Sequence, residues 1–204
     1  MGRLHSVNCP SLCPKYPGVN GRRPEGLAPL FFSQWLSVFQ NQSRGSAMPT
    51  PAFSPISLTL STPTGPFTIS VWDGAIVGAR WGDGGMDHSS LLDEAASQVA
   101  AYFAGSRRVF DLPLRIDASP AQQAACTAMA AIPMGETRTY GELAKALKVS
   151  AQAMGQLCGG NPIPVIVPCH RVLGAAGLGG FSAPGGVETK LWLLKHEKAG
   201  GLLI

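Results

Sequence analysis

No stretch of this 204-residue sequence is apolar for long enough to cross a bilayer. A spanning helix needs about 18 or more consecutive apolar residues, and the longest apolar run, residues 30–39, is interrupted by Ser33, Gln34 and Ser37. Charged residues make up only 14% of the chain against 45% hydrophobic residues, so the excess charge that keeps chains unfolded is also missing. We therefore expect a soluble, globular protein of one or two domains and no membrane partner.

Cysteine is too scarce and too irregular for a disulfide framework. The five cysteines form an odd number without a Cys-x-x-Cys pair, and no secretory signal precedes them. This usage is typical of free thiols in a reducing compartment, here the cytoplasm of a bacterial-type cell or a nucleus. His5, Cys9 and Cys13 are the one grouping that suggests a metal site, but no fourth ligand follows at a metal-like spacing. We expect neither a metal nor a cofactor.

The first 47 residues lack a pattern that sustains packed structure. They are rich in Pro and Gly and carry a net charge of +4, a composition that predicts a disordered N-terminal extension. Arginine with few acids also fits an organelle transit peptide. Met48 stands directly before the globular pattern, so a translation start at Met48 is an open alternative.

Residues 48–118 predict a small N-terminal α/β domain. The predicted strands are 56–60, 67–72, 75–81 and 109–114. Asp73-Gly74 between two of these runs is a strong hairpin signal. Residues 91–103 have apolar positions at helical spacing, and Gly105 follows as a stop signal, so this segment predicts a helix. We therefore expect a sheet packed on one helix.

Residues 119–204 predict a helical C-terminal domain. A first helix over 121–132 follows the cap-and-first-turn pair Ser119-Pro120. A second helix over 139–147 and a third, capped by Ser150 and reaching about Cys158, are joined by a short turn. This pairing resembles helix-turn-helix geometry, although short helix pairs are common. The net charge of +3 makes this half the more suitable face for a polyanion.

One segment carries a candidate for covalent chemistry. Cys169 follows an apolar run punctuated by prolines, which predicts a buried extended segment with the thiol at its end. A nucleophilic cysteine needs a base or a positive field to form its thiolate, and the adjacent His170 can supply a base, directly or through a water. Glu197 is the natural carboxylate to orient that histidine. The alternative is a buried cysteine beside a structural histidine.

Three segments together resemble the O6-alkylguanine-DNA alkyltransferase family. They are Asn-Pro-Ile-Pro-Val-Ile-Val-Pro-Cys-His-Arg-Val (161–172), the Gly-Gly-Phe-Ser-Ala-Pro-Gly-Gly loop (179–186) and Lys-Leu-Trp-Leu-Leu-Lys-His-Glu (190–197). The Pro-Cys-His-Arg-Val core is highly specific to that family, and the resemblance extends over about residues 54–199. It implies an α+β protein with a small ribonuclease-H-like N-terminal sheet domain and a helical C-terminal domain bearing a winged helix-turn-helix-like motif.

The resemblance also implies the roles of five residues. Cys169 would accept the alkyl group irreversibly and His170 would act as its water-mediated base. Glu197 would orient the histidine, and Asn161 would brace the active-site turn. Tyr140 would donate a proton to guanine N3, which makes the base a better leaving group, although a purely packing role for Tyr140 stays open.

The implied partner is double-stranded DNA that contains alkylated guanine, bound by a monomer. The backbone at Val172 and the loop at Ser182 would read the guanine edges after the nucleotide leaves the stack. Ala151, Gln152 and Gly155 on the third helix would contact DNA. O4-alkylthymine is a second candidate substrate.

Gln152 is the departure that matters, because the family places an arginine there that inserts into the duplex. Gln156 likewise stands where a small residue is usual. A neutral side chain predicts weaker duplex binding or weaker nucleotide flipping.

Two rival functions remain. One is a related sensor that binds the lesion without a reactive cysteine, which Cys169 argues against. The other is a thiol hydrolase that turns over a small substrate. Cys126 and Cys158 are expected to be inert, and Trp192 to pack in the core.

Overall fold

The computed structural model describes residues 54–199. The proposed extension, the His5, Cys9 and Cys13 grouping and Met48 lie outside the described residues. The elements, in chain order, are β1 (Ile56–Thr62), β2 (Gly65–Trp72), β3 (Ala75–Trp81), α1 (Ser90–Phe103), α2 (Pro120–Ala130), β4 (Arg138–Thr139), α3 (Tyr140–Leu147), α4 (Ala151–Gly159), a 3-10 turn (Cys169–Arg171), β5 (Val172–Leu173) and α5 (Val187–His196). Across residues 54–199, no helix is both long and apolar enough to cross a membrane.

The first three strands form an antiparallel sheet in the order β1-β2-β3, as the sequence predicts. Asp73 and Gly74 both have positive φ, 50° and 72°, which is the backbone that a tight primed hairpin turn requires. Phe67 pairs with Trp81 across the sheet and Ile69 pairs with Ala79. Alternation along the strands places these side chains on one face, which packs on the core.

The predicted fourth strand at 109–114 is wrong. Only an isolated bridge joins Leu114 to Ile76, and it is held by the Ile76 amide donating to Pro113 O at 2.8 Å. Pro113 has no N–H with which to continue a ladder. Nearby, the Gln98 side chain hydrogen-bonds both the amide and the carbonyl of Asp111 at 2.9 and 3.0 Å, so the backbone there needs no strand partner.

α1 covers the sheet and is confirmed within one residue of its predicted start. Ser89 caps it by accepting a hydrogen bond from the Leu92 amide. Its buried residues are Leu92, Ala95, Gln98, Val99 and Tyr102, at helical spacing.

The helices of the C-terminal half are confirmed with small shifts at their ends. α2 stops at Ala130, two residues earlier than predicted. Thr139 caps α3 in a reciprocal box with Glu142, and Lys148 ends that helix in the left-handed conformation. Ser150 then caps α4 through the Ala153 amide. The result is a mixed α/β fold with a small antiparallel sheet and packed helices.

A two-residue parallel pairing connects the start of α3 to the segment that carries the candidate thiol. Arg138 pairs with Val172 and Thr139 with Leu173. Tyr140 begins α3 directly after this pairing, so the register of two residues fixes the position of Tyr140 relative to the 3-10 turn at Cys169.

Candidate active site

Cys169 lies in the wall of a cavity of about 400 Å³ between the helices and the glycine-rich loop. The cavity is lined by Tyr140, Gly155, Cys158, Gly159, Cys169, Gly180, Phe181 and Ser182. The residue is only 7% exposed, so a substrate reaches the thiol through this cavity and bulk solvent does not surround it.

The segment before Cys169 is not the extended run that the sequence suggests. The Val167 amide donates to Ile163 O at 2.8 Å, and Val165 takes a positive φ of 71°. The chain therefore folds back on itself and enters a 3-10 turn at Cys169. Three prolines within 162–168 lack the amide hydrogens that a strand ladder would need, which explains the difference.

Asn161 is placed where it can hold this fold. Its side-chain nitrogen donates to Val167 O at 2.8 Å, and its side-chain oxygen accepts from the Ile163 amide at 3.1 Å. Both hydrogen bonds close the loop whose end is Cys169, which is the geometry that a brace of the active-site turn requires.

His170 and Glu197 form a buried pair. The Nε2 atom of His170 lies 2.7 Å from Oε1 of Glu197, and neither side chain is exposed. Because a carboxylate can only accept, Nε2 carries the proton and Nδ1 is left as an acceptor. Nδ1 is buried and has no hydrogen-bond partner among the described residues, so it is free to receive a proton.

Arg171 neutralises the charge of this carboxylate. Its Nε donates to Oε2 of Glu197 at 2.8 Å and its Nη2 donates to Oε1 at 2.9 Å. Burial favours the neutral carboxyl, but the hydrogen bonds from His170 and Arg171 outweigh it and hold the pKa of Glu197 well below its usual range. Burial lowers the pKa of His170, against the opposing effect of Glu197. The pair therefore rests as a carboxylate beside a neutral imidazole.

The cavity thiols are protonated at rest. Burial raises the pKa of Cys169, and the Asn161 side chain and the Lys190 ammonium lower it in part. Burial raises the pKa of Cys158 to about 12. A base must therefore remove the Cys169 proton before this sulfur can attack a substrate.

Tyr140 of the cavity wall is a candidate proton donor and packs against the glycine-rich loop. Burial raises the pKa of Tyr140, so its hydroxyl keeps its proton and can donate it. The ring lies against Gly179, where an added Cβ would stand 2.9 Å from Cε2 of Tyr140. Gly179 has a φ of 73°, so the loop needs glycine there for both space and backbone.

The sequence did not single out Lys190, although it is fully buried beside the site. Its Nζ donates to Val172 O at 2.6 Å and lies 5.6 Å from the centre of the Tyr140 ring. Burial lowers its pKa to about 8. One lone pair of the Val172 carbonyl is thus occupied, while Ser182 is exposed at the cavity rim with its Oγ 3.5 Å from Gly159 O.

α4 brings only part of the proposed DNA-contacting set to the cavity. Gly155 lines it, whereas Ala151 and Gln152 are exposed on the first turn of the helix and do not line the cavity. Gln156, one turn after Gln152, is also exposed. Ala151, Gln152 and Gln156 are thus available to a partner outside the pocket.

Three other residues occupy places that the sequence did not indicate. Cys158 lines the cavity, and Phe181 contacts Trp81 of β3 edge to face at 5.7 Å. Tyr102 of α1 donates to Oε1 of Glu197 at 2.7 Å. Its spacing of three residues from Val99 is the local signal that could have indicated an inward-facing Tyr102, but no pattern links residues 95 positions apart. Trp192 is half-buried and stacks on His196 at 5.0 Å.

A shielded thiol next to a histidine and carboxylate pair is the arrangement of proteins that use a cysteine nucleophile. Residues 120–199 match the family described as the 6-O-methylguanine DNA methyltransferase, DNA binding domain. The methylated-DNA–protein-cysteine methyltransferase of Mycobacterium bovis is 37% identical over 152 residues, which cover 69% of this chain and 91% of the relative. The protein of the same name from Methanosarcina acetivorans is 42% identical over 118 residues, 56% of this chain and 74% of that one.

Solved structures agree with this relationship. The crystal structure of Mycobacterium tuberculosis O6-methylguanine methyltransferase superposes with a TM-score of 0.65 at 34% identity and covers 71% of this chain and 93% of its own. M. tuberculosis OGT in complex with DNA gives 0.63 at 37% identity, covering 69% and 91%. The chain belongs to the family of methylated-DNA–protein-cysteine methyltransferases.

Proposed function

We propose that this protein repairs DNA by direct reversal, with Cys169 accepting the alkyl group from O6 of an alkylated guanine. The observation that carries the proposal is the shielded Cys169 thiol in a cavity, next to a buried His170 whose free Nδ1 is a proton acceptor. Glu197 fixes the tautomer that makes Nδ1 the acceptor.

The reaction follows from these groups. His170 takes the thiol proton, through a bridging water, and Glu197 stabilises the resulting imidazolium. The sulfur of Cys169 then attacks the alkyl carbon, the S–C bond forms and the C–O6 bond breaks. The electron pair moves into the guanine ring while Tyr140 donates a proton at N3. The proton held by His170 then returns to the Tyr140 phenolate through solvent. In net balance, the thiol proton replaces the alkyl group on guanine and the protein keeps the alkyl group as a thioether.

By this mechanism, each protein molecule accepts only one alkyl group. A thioether has no activated leaving group. To regenerate Cys169, a second nucleophile would have to attack the alkyl carbon and release the Cys169 sulfur. The other thiol in the cavity, Cys158, has its pKa raised to about 12 and is protonated at neutral pH. Cys158 therefore does not regenerate Cys169.

DNA is the proposed partner, with the C-terminal residues 119–204 as the binding domain and 48–118 as the ribonuclease-H-like domain. A guanine inside a duplex cannot reach the cavity, so the nucleotide must leave the stack at a cost of a few kcal/mol. We assign α3 and α4 to the winged helix-turn-helix-like motif and Ala151, Gln152 and Gly155 to the DNA contact. Gln152 fills less space than an arginine and adds no charge beside the phosphates. The protein acts as a monomer in the cytoplasm or nucleus.

Intact-mass analysis after incubation with duplex DNA containing O6-methylguanine tests the proposal against its rivals. One stable methyl adduct per protein supports transfer. Unmodified protein that binds the DNA tightly would favour a lesion sensor. Unmodified protein without affinity for DNA would favour a thiol hydrolase.

A further inference from the structure

Tyr102 links the N-terminal sheet-and-helix region to the proposed catalytic carboxylate. It lies on α1, is 1% exposed, and its hydroxyl donates to Oε1 of Glu197 at 2.7 Å. His170 Nε2 donates to the same oxygen at the same distance. We propose that Tyr102 is a positioning residue of the alkyl-transfer site that acts through Glu197, an inference that rests on the function proposed above.

The packing around Tyr102 accounts for an aromatic ring at this position but does not require a hydroxyl group on it. The ring meets Phe103 and His196 edge to face, each at 5.2 Å between centroids. His196 also places its Nε2 atom 2.7 Å from the Tyr102 carbonyl oxygen. A phenylalanine would fill the same space, so the hydroxyl contributes chiefly its hydrogen bond to Glu197.

The hydroxyl competes with His170 for the carboxylate. Oε1 of Glu197 receives donors from His170, Arg171 and Tyr102, and each donor disperses negative charge that would otherwise stabilise an imidazolium. The charged and titratable groups that act on this pair are Tyr102 from α1, Arg171 from the 3-10 turn and Lys190 from α5. His196 of α5 contacts Tyr102. Tyr102 therefore favours the neutral imidazole, which is the form that can accept the thiol proton.

The test is the pH dependence of alkyl transfer in Tyr102→Phe, measured as the single-turnover rate of labelling by free O6-benzylguanine. Without the hydroxyl, Glu197 stabilises the imidazolium more strongly, so we expect the acid-side midpoint of the rate profile to rise by about 0.5 to 1 pH unit. At pH values above that midpoint, the rates of variant and wild type should converge. An unchanged or lowered midpoint would overturn the role of Tyr102.

Thr68→Val is the matched control, because Thr68 is another buried hydroxyl of the N-terminal region and donates to Gly82 O at 2.6 Å. This variant should lose stability without moving the midpoint, and a midpoint that moves as in Tyr102→Phe would reduce the effect to general destabilisation. In the Glu197→Gln background, Tyr102→Phe should leave the residual rate profile unchanged. A further shift there would contradict action through Glu197.

A second measurement covers the case in which Tyr102→Phe does not fold. 3-Fluorotyrosine placed at position 102 alone keeps the ring and strengthens the donor, so the midpoint must fall; a rise or no change would contradict the inference. Labelling of wild-type protein separates the proposed function from the role of Tyr102. If wild type takes no label on Cys169, the proposed function fails, whereas labelled proteins with equal profiles refute only the role of Tyr102.

Discussion

Glu197→Gln is the substitution that most severely disturbs the buried network. The Glu197 side chain is fully buried and accepts hydrogen bonds from Tyr102, His170 and Arg171. Glutamine keeps the shape but replaces one accepting oxygen with an NH₂ group, which then faces a donor. It also leaves the Arg171 guanidinium, 7% exposed as a side chain, without its counter-charge.

The expected loss of stability follows from this uncompensated charge on Arg171. Removing one partner of a buried ion pair costs about 3–5 kcal/mol, which in a chain of this size lowers the melting temperature by about 6–20 °C. The base loses its orienting carboxylate, and since a positioned base contributes about 10²–10⁴-fold to a rate, transfer should slow by up to that factor. Glu188→Gln on the exposed first turn of α5, the helix whose C-terminal cap is Glu197, is the control, with an expected change within about 0.5 kcal/mol.

Lowering the pH should destabilise the wild-type protein through the same buried network. The pKa values of both Glu197 and His170 are lowered in the folded protein, so the unfolded chain binds more protons and stability falls as pH falls. The His170 contribution begins to be lost below about pH 6.5 and that of Glu197 below about pH 4.3, their unfolded values. Glu197→Gln should show a shallower decline in the lower part of this range.

Thermal and urea unfolding of both variants, with benzylguanine labelling of the folded fraction, provide the assay. Loss of stability with an unchanged labelling rate would make Glu197 a purely structural residue and refute its role toward His170. A Glu197→Gln protein as stable as the Glu188→Gln control would refute the cost assigned to the unpaired Arg171.

Two further substitutions probe the DNA face and the loop. Gln152→Arg should tighten duplex binding, steepen its salt dependence by about one unit and speed repair of duplex DNA more than labelling by free benzylguanine; equal acceleration of both substrates would place Gln152 in the pocket. Gly179→Ala should slow transfer and cost about 1–2 kcal/mol, because its Cβ would press on Tyr140 at a positive φ. Gly177→Ala, with open space around it, should change little, and equal effects at the two glycines would refute the Tyr140 contact.

Local patterns were sufficient to predict much of the fold. The Asp73-Gly74 turn demands positive φ at two successive residues, and the structure has both. Ser119 and Ser150 cap helices where their sequence positions indicate. These features depend on residues within a few positions of one another, which is why sequence reasoning reaches them.

The features that were missed or mistaken depend on distant partners. The run before Cys169 is apolar enough for a strand, but the Asn161 side chain closes it into a turn. Within 109–114, the Gln98 side chain satisfies the backbone of Asp111, and only the isolated bridge at Leu114 reaches β3. A lysine is normally expected at the surface, and only the fold shows that Lys190 is buried and donates to the Val172 carbonyl. Long-range hydrogen bonds of this kind leave no periodicity in the sequence.

Peptide mapping after reaction with excess O6-methylguanine duplex tests the central claim most directly. The proposed function predicts one methyl group per protein, located on the peptide that contains Cys169, and repaired guanine that stops at one equivalent. Cys169→Ala should remain folded and unmethylated, whereas Cys158→Ala should still be methylated at Cys169. A methyl group on another residue, transfer by folded Cys169→Ala, or product beyond one equivalent would contradict single-use transfer to Cys169.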